Sequence, residues 1–267
     1  MSTADYIPSV LVGEAVTSEP GRSRYEWRNQ RSFTAIKSDG SVVSWGSVST
    51  DGDKDVFRYT KEGPFQQVFS NRHAWSATRS DGKLITWGNG GRGGEKRDAK
   101  DDLQDGVVRV FSTRRSFSAL KSDGSVVSWG QDLEGGDNSL VAEQLTSDVV
   151  NLFSTGTSMA ALKSDGSVVT WGLSTEDPRS ESLGGDIDTG SPRGGDSSEV
   201  ADLIDSGVID IFSSRYAFAA LKNDGSVVAW GDPLRGGDTG DAQRLLRKGL
   251  QSVASTGTSF AALKKNG

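Results

Sequence analysis

Ala119-Leu120-Lys121-Ser122-Asp123-Gly124-Ser125-Val126-Val127-Ser128-Trp129-Gly130 reads as one β-hairpin. Ser116 to Lys121 alternates as a strand does, with side chains on opposite faces every second residue. Asp123-Gly124 supplies the turn. A two-residue type I′ turn needs positive φ at both central residues, which Asp tolerates and Gly adopts freely, so type I′ is the expectation. Ser125 to Trp129 is the returning strand, with Val127 and Trp129 on one face and Val126 and Ser128 on the other.

The same hairpin recurs. Its turn glycine falls at Gly40, Gly82, Gly124, Gly166, Gly225 and Gly267, at intervals of 42, 42, 42, 59 and 42. The period is therefore 42 residues, with one insertion of 17 in the fourth unit, within residues 173–192. A regular period of that size indicates a propeller or a solenoid. Each unit also has a preceding β-rich run, such as Val108 to Ser112, and a polar triplet between that run and the hairpin. A loop of Gly-Gly-acid type and a polar segment of about ten residues follow. The polar segments, such as Val200 to Asp205 and Ala242 to Arg247, are too short for stable helices and are read as irregular or single-turn connectors. Three β segments per unit without a long helix predict an all-β fold, a six-bladed β-propeller forming one domain over residues 1–267. The competing architecture is an open β-solenoid.

The sixth unit runs to Asn266-Gly267 and has no return strand after it. Pro8-Ser9-Val10-Leu11-Val12-Gly13 carries the Ser-Val-aliphatic pattern of the returning strands. The expectation is that this N-terminal strand completes the last blade and closes the ring, removing open sheet edges.

Composition is compatible with this. Apolar residues make up 34% of the 267, and there are 34 glycines, which suits short strands and tight turns better than packed helices. The formal net charge of −6 disfavours non-specific nucleic-acid binding. The absence of cysteine excludes disulfides and thiolate chemistry. The first residues show neither a basic leader nor an apolar stretch of signal type, and no apolar run approaches the length of a membrane span, so a soluble protein without membrane association is expected.

Leu152 to Gly172, LFSTGTSMAALKSDGSVVTWG, and its copies resemble the repeats of the RCC1-like propeller superfamily. Within it they are most similar to the shorter repeats of the β-lactamase inhibitory protein II type. The shared features are the Ala-Leu-Lys strand, the Asp-Gly turn, the Val-Val-x-Trp-Gly strand and the glycine pair after it. The resemblance implies a propeller. It implies less about activity, because members include exchange factors, inhibitors and scaffolds. Six apparent blades depart from the seven usual in these relatives, and the inhibitor's binding residues do not transfer position by position.

Positions that vary against a fixed background carry the information about a partner. The triplets are Asn29-Gln30-Arg31, Asn71-Arg72-His73, Thr113-Arg114-Arg115, Thr155-Gly156-Thr157, Ser214-Arg215-Tyr216 and Thr256-Gly257-Thr258. Equivalent loops of a ring gather on one face. Arg31, Arg72, His73, Arg114, Arg115, Arg215 and Tyr216 are thus the candidate partner-binding residues. Arg offers planar paired donors to carboxylates, and Arg and Tyr are favoured interface anchors. The partner expected is a protein with an acidic surface, bound by a monomer. The competing view is that these arginines pair with neighbouring Asp side chains or are solvated.

Other repeated residues read as architecture. The loops Asp51-Gly52-Asp53, Gly93-Gly94-Glu95, Gly135-Gly136-Asp137, Gly194-Gly195-Asp196 and Gly236-Gly237-Asp238 have too few oxygens for Ca²⁺, so a turn and capping role is expected. Trp45, Trp87, Trp129, Trp171 and Trp230 are expected between blades, as are Phe33, Trp75, Phe117, Met159, Phe218 and Phe260. His73 is the lone histidine, and no nucleophile elbow, P-loop or HExxH motif occurs, so no enzyme, metal or cofactor is expected. The alternatives to a protein-binding module are a lectin or other small-ligand propeller, and a recently amplified or engineered array without an evolved ligand.

Overall fold

The computed structural model describes residues 29, 32–46, 57–61, 63–174 and 194–266. The first unit contributes β1 (Ser32–Ile36), β2 (Val42–Gly46) and β3 (Phe57–Lys61). The second has β4 (Phe65–Ser70), β5 (Ala74–Arg79) and β6 (Leu84–Gly88), and the third β7 (Val107–Ser112), β8 (Ser116–Lys121) and β9 (Val126–Gly130). The fourth has β10 (Val149–Ser154), β11 (Ser158–Lys163) and β12 (Val168–Gly172). The fifth has β13 (Val208–Ser213), β14 (Ala217–Lys222) and β15 (Val227–Gly231), and the sixth β16 (Leu250–Ser255) and β17 (Phe260–Lys264). These form six antiparallel sheets, five of three strands and one of two. The connectors are short 3-10 turns, at Arg97–Lys100, Ser139–Leu145, Ser198–Leu203 and Gly240–Arg244.

The cores lie between sheets rather than within them. One cluster joins Ala74 and Leu84 of the second unit, Ala99 and Leu103 of its connector, and Val107, Val110, Phe117, Ala119 and Trp129 of the third. The next joins Leu120 and Val126 to Leu145 and to Leu152, Met159 and Trp171 of the fourth. A third repeats the arrangement from Phe153 and Ala160 to Phe218 and Trp230. Each unit therefore stabilises its neighbour, as nearest-neighbour arrays do. The first strands lie side by side: β4 against β7, β7 against β10, β10 against β13 and β13 against β16.

The hairpin turn departs from expectation. Gly124 N–H donates to the Lys121 carbonyl at 3.0 Å and Lys121 N–H to the Ser125 carbonyl at 2.9 Å. Gly124 has φ +79°, whereas Asp123 is not among the positive-φ residues. The turn is therefore a three-residue loop, a type I turn closed by a glycine bulge, and not type I′. The aspartate takes a different role. Its Oδ1 accepts from Ser125 N–H at 2.9 Å and Ser125 Oγ at 2.6 Å, which fixes the turn from its side chain.

Two further departures concern strands. The first unit replaces the 3-10 connector with β3, which pairs with β2 from Val42↔Lys61 to Gly46↔Phe57. Phe57 and Tyr59 are β-forming residues in alternation, and a strand accommodates that pattern better than a helical turn does. A one-residue slip also occurs near the start of β4, β7, β10, β13 and β16, for instance between Val107 and Arg109. Such a bulge locally breaks the alternation of faces. It turns Val108, Val150 and Ile209 to solvent.

The array's end units differ from its interior. Phe117 and Phe218 are fully buried and stack on Trp129 and Trp230 at centroid distances of 5.3 Å. Phe33 stacks on Trp45 in the same way but is 66% exposed. In the sixth sheet Leu263 is exposed on β17, which has one paired neighbour among the described residues. The proposed closing strand, Ser9 to Val12, lies outside the described residues, as does most of the fourth-unit insertion.

Candidate functional site

The five triplets that lie wholly among the described residues are tight turns rather than protruding loops. Their first residue is a side-chain cap. Asn71 Oδ1 accepts from His73 N–H and Ala74 N–H, both at 2.8 Å. Thr113 Oγ1 accepts from Ser116 N–H at 3.0 Å and donates to the Glu134 carbonyl at 2.8 Å. Thr155, Ser214 and Thr256 cap in the same way, accepting from Ser158, Ala217 and Ser259 N–H at 3.0, 3.0 and 3.1 Å. The third residue's carbonyl receives the N–H that follows each Trp-Gly pair: Asn89 to His73, Gln131 to Arg115, Leu173 to Thr157 and Asp232 to Tyr216, all at 3.0–3.1 Å.

The second residue ties neighbouring units together. Arg72 N–H donates to the Arg114 carbonyl at 3.2 Å, and Arg114 N–H to the Gly156 carbonyl at 3.1 Å. Gly156 N–H continues to the Arg215 carbonyl at 2.9 Å, and Arg215 N–H to the Gly257 carbonyl at 3.1 Å. Five consecutive turns thus form one backbone ladder. Hydrogen-bonded strands lie about 5 Å apart, so the ladder brings the variable side chains of five units into one contiguous row.

A loop position unrecognised in the sequence faces that row. Among the described residues it is the residue before three of the glycine pairs: Arg92, Glu134 and Arg235. Arg92 Nη1 lies 3.3 Å from His73 Nδ1. Arg115 Nη1 donates to Glu134 Oε1 at 2.8 Å, and Arg114 Nε lies 3.9 Å from Glu134 Oε2. The Arg235 guanidinium sits over the Tyr216 ring at 4.5 Å and pairs with Asp232, while Arg215 lies 5.3 Å from the same ring. The third turn residue and the facing loop residue therefore vary together. The signal was present in the sequence, because the pre-glycine position also differs from unit to unit.

Burial divides the candidates. Arg72, His73, Arg115, Arg215 and Tyr216 are half-buried, and Arg114 is buried, with a side chain 7% exposed. Arg31 lies outside the described residues. Glu134 has no exposed side-chain surface. Burial raises its carboxyl above the ordinary range, against the pull of Arg114 and Arg115. Burial also lowers the Arg114 guanidinium, which Glu134 opposes while Arg115 and Arg215 press it further down. Pairing with neighbouring Asp side chains, the competing expectation for the turn arginines, gives way at Arg114 and Arg115 to a buried glutamate, Glu134; the loop residue Arg235 pairs with Asp232. Charge reversal at Arg114 would place a second carboxylate against buried Glu134, so Arg114 is a poor surface probe.

The described glycine-pair loops and Trp129, Trp171 and Trp230 are architectural, whereas Trp45, expected between blades, is 45% exposed. Gly93 has φ +100°, and a Cβ there would lie 2.6 Å from Phe117 of the next unit. Asp137, Asp196 and Asp238 accept from Ser139, Ser198 and Gly240 N–H at 2.8–2.9 Å, capping the segment that follows. Trp129, Trp171 and Trp230 donate to the Gly93, Gly135 and Gly194 carbonyls of the preceding unit at 3.1–3.3 Å. Among the described residues no group of three or more His, Cys, Asp or Glu is placed to hold a metal ion, and no helix is long and apolar enough to cross a membrane.

Six antiparallel sheets whose cores form between neighbours, tied by a lateral ladder of turns, define a β-repeat array. Solved structures share parts of this arrangement. Human WBSCR16 overlaps with a TM-score of 0.44 at 16% identity, over 89% of this chain and 70% of its own. Prp20p from Saccharomyces cerevisiae, reported with its binding to Gsp1p and histones, overlaps at 0.43 and 16%, over 78% of this chain and 57% of its own. The receptor kinase CR4 ectodomain of Physcomitrella patens gives 0.43 and 14%, over 77% and 49%. No protein-family model matches the chain, and no curated protein matches it in sequence.

Proposed function

We propose that the chain is a non-enzymatic protein-binding module, a six-bladed propeller of RCC1-like repeats that grips an acidic protein surface with its row of turns. The observation that carries this reading is the backbone ladder through Arg72, Arg114, Gly156, Arg215 and Gly257. It holds a constant frame while the side chains on it differ from unit to unit. A propeller binding the same small ligand in every blade requires the same residues in every blade, and these turns do not supply them. Arg and Tyr held by stacking and ion pairs lose little freedom on binding, which favours them as anchors. The affinity with β-lactamase inhibitor repeats rests on the repeat residues themselves.

The test uses Arg72→Glu with Arg215→Glu, which leaves the buried Arg114–Glu134 pair intact. Capture of the partner from the native source falls at least tenfold while thermal unfolding stays within a few degrees of the unaltered protein. Undiminished capture refutes the reading. Ring closure by Ser9 to Val12 has its own test. In a closed ring Phe33 is covered as Phe117 is, so Phe33→Ala and Phe117→Ala each cost about 3–5 kcal/mol. In an open array Phe33→Ala costs under about 1 kcal/mol.

A further inference from the structure

The slip near the start of each first strand creates a second row of side chains, distinct from the turns. Gln67, Arg109, Asn151, Asp210 and Ser252 follow the slip and hold the same place in β4, β7, β10, β13 and β16. These strands lie side by side, and Arg109 Nη1 reaches Asn151 Oδ1 across one step at 3.4 Å. The residue before each of them is exposed, and in the three middle strands it is aliphatic. Val108, Val150 and Ile209 are 47%, 51% and 58% exposed. A single exposed aliphatic residue is ordinary, but three at one position of adjacent strands make a continuous apolar strip.

The row lies at the far end of the strands from the turns. Val149 N–H donates to the Gly124 carbonyl at 3.1 Å and Val208 N–H to the Gly166 carbonyl at 3.0 Å, so the strand starts abut the hairpin turns. Five residues of extended chain, about 15 Å, separate Asp210 from Arg215. Asp210 is the uncompensated charge of the row. Arg109 has Asn151 and the Phe111 ring, 5.1 Å away. Asp210 Oδ1 accepts from Ile211 N–H of its own strand at 2.8 Å, and no cation pairs with its carboxylate among the described residues. Its side chain is half-buried, and burial raises its carboxyl above the ordinary range. A carboxylate withdrawn from water without a counter-charge is costly, and a cation brought to it relieves that cost.

We propose that this end of the first strands is a second docking surface, which takes an extended basic segment of another protein: a lysine of the segment pairs with Asp210, and aliphatic residues beside that lysine lie on Val108, Val150 and Ile209. Lysine suits the site because its aliphatic stem covers Ile209 while its ammonium reaches the carboxylate. The charge required is opposite to that read for the turn row, so the two ends of the strands serve two partners.

The test is fluorescence anisotropy with fluorescein-labelled Val-Lys-Val-Lys-Val-Lys at about 0.15 M salt, which screens diffuse attraction to an acidic chain. Ser-Lys-Ser-Lys-Ser-Lys is the control of equal charge. The valine peptide binds, and the serine peptide binds at least fivefold more weakly. Asp210→Asn weakens binding of the valine peptide at least tenfold. Asn keeps an acceptor for Ile211 N–H, so unfolding of this variant is unchanged. Val150→Thr with Ile209→Thr weakens binding at least fivefold, and unfolding stays within a few degrees because both sites are exposed and Thr is a strand former. Asp241→Asn removes an exposed carboxylate from an outer connector and leaves binding as it was. No binding by the unaltered protein, or equal binding of the two peptides, overturns the surface. So does a loss in Asp241→Asn as large as that in Asp210→Asn, or full binding by the double threonine variant.

Discussion

Glu134→Gln removes one charge from the centre of the turn row and changes almost nothing in shape. In the unaltered protein Glu134 Oε1 accepts from Arg115 Nη1 at 2.8 Å, and Oε2 lies 3.9 Å from Arg114 Nε. The carboxylate is fully buried, and the two arginine side chains are 17% and 7% exposed respectively. At the effective dielectric that suits such sites, a pair about 4 Å apart attracts by about 4 kcal/mol before desolvation is counted. Gln keeps one acceptor for Arg115 but no charge. Two guanidinium groups are then left close together with Arg215 nearby, and breaking a buried pair this way costs about 3–5 kcal/mol. Arg115 retains some solvent, which places the expected loss near 3 kcal/mol. At roughly 2–4 °C per kcal/mol for a domain of this size, thermal unfolding falls by about 6–12 °C. The assay is circular dichroism melting with urea titration at neutral pH. The double variant Glu134→Gln with Arg115→Gln recovers part of the loss, because one of the two guanidinium charges beside residue 134 is removed as well. A Glu134→Gln protein within about 0.5 kcal/mol of the unaltered one refutes the electrostatic account.

Two further substitutions test the architecture. Gly93→Ala places a Cβ 2.6 Å from Phe117 at φ +100°, combining backbone strain with overpacking, and lowers stability by about 2–4 kcal/mol in urea. Gly240→Ala, with φ +47° and open space around it, costs about 1 kcal/mol or less; equal losses at the two sites contradict the packing role of the glycine-pair loop. In the hairpin turns, Ser41 hydroxyl and backbone donors lower the Asp39 carboxyl from 3.8 to about 2, and Ser125, Ser167 and Ser226 lower Asp123, Asp165 and Asp224 likewise. A carboxyl depressed on folding adds stability above its unfolded value, and that stability is lost as pH falls through the folded value, here from about 3.8 towards about 2. Replacing Asp39 by Asn flattens the decline of the urea midpoint across that window; an unchanged slope contradicts the turn assignment.

The hairpin period, the burial of Phe117, Trp129, Phe218 and Trp230 and the capping aspartates of the glycine-pair loops were legible in the sequence because each depends on local pattern. The turn type was not. Asp-Gly suits both a type I′ turn and a type I turn with a glycine bulge, and the choice shows only in the hydrogen bonds of Lys121, Gly124 and Ser125. The bulges that expose Val108, Val150 and Ile209 were hidden for a related reason. A one-residue slip leaves composition untouched and reverses the faces. The turn arginines were visible as variable residues, but the lateral ladder beneath them joins residues 42 or 59 apart and leaves no local trace. Glu134 follows the same rule of variation, yet nothing in its sequence neighbourhood marks the arginines it meets. Its burial against Arg114 and Arg115 is a tertiary property.

The footprint of the captured partner tests the binding face most directly. Hydrogen–deuterium exchange with and without that partner should slow exchange in peptides spanning residues 71–73, 113–115 and 214–216, leaving the Asp-Gly hairpin turns unchanged. Protection confined to those hairpins or to the outer 3-10 connectors would contradict the account.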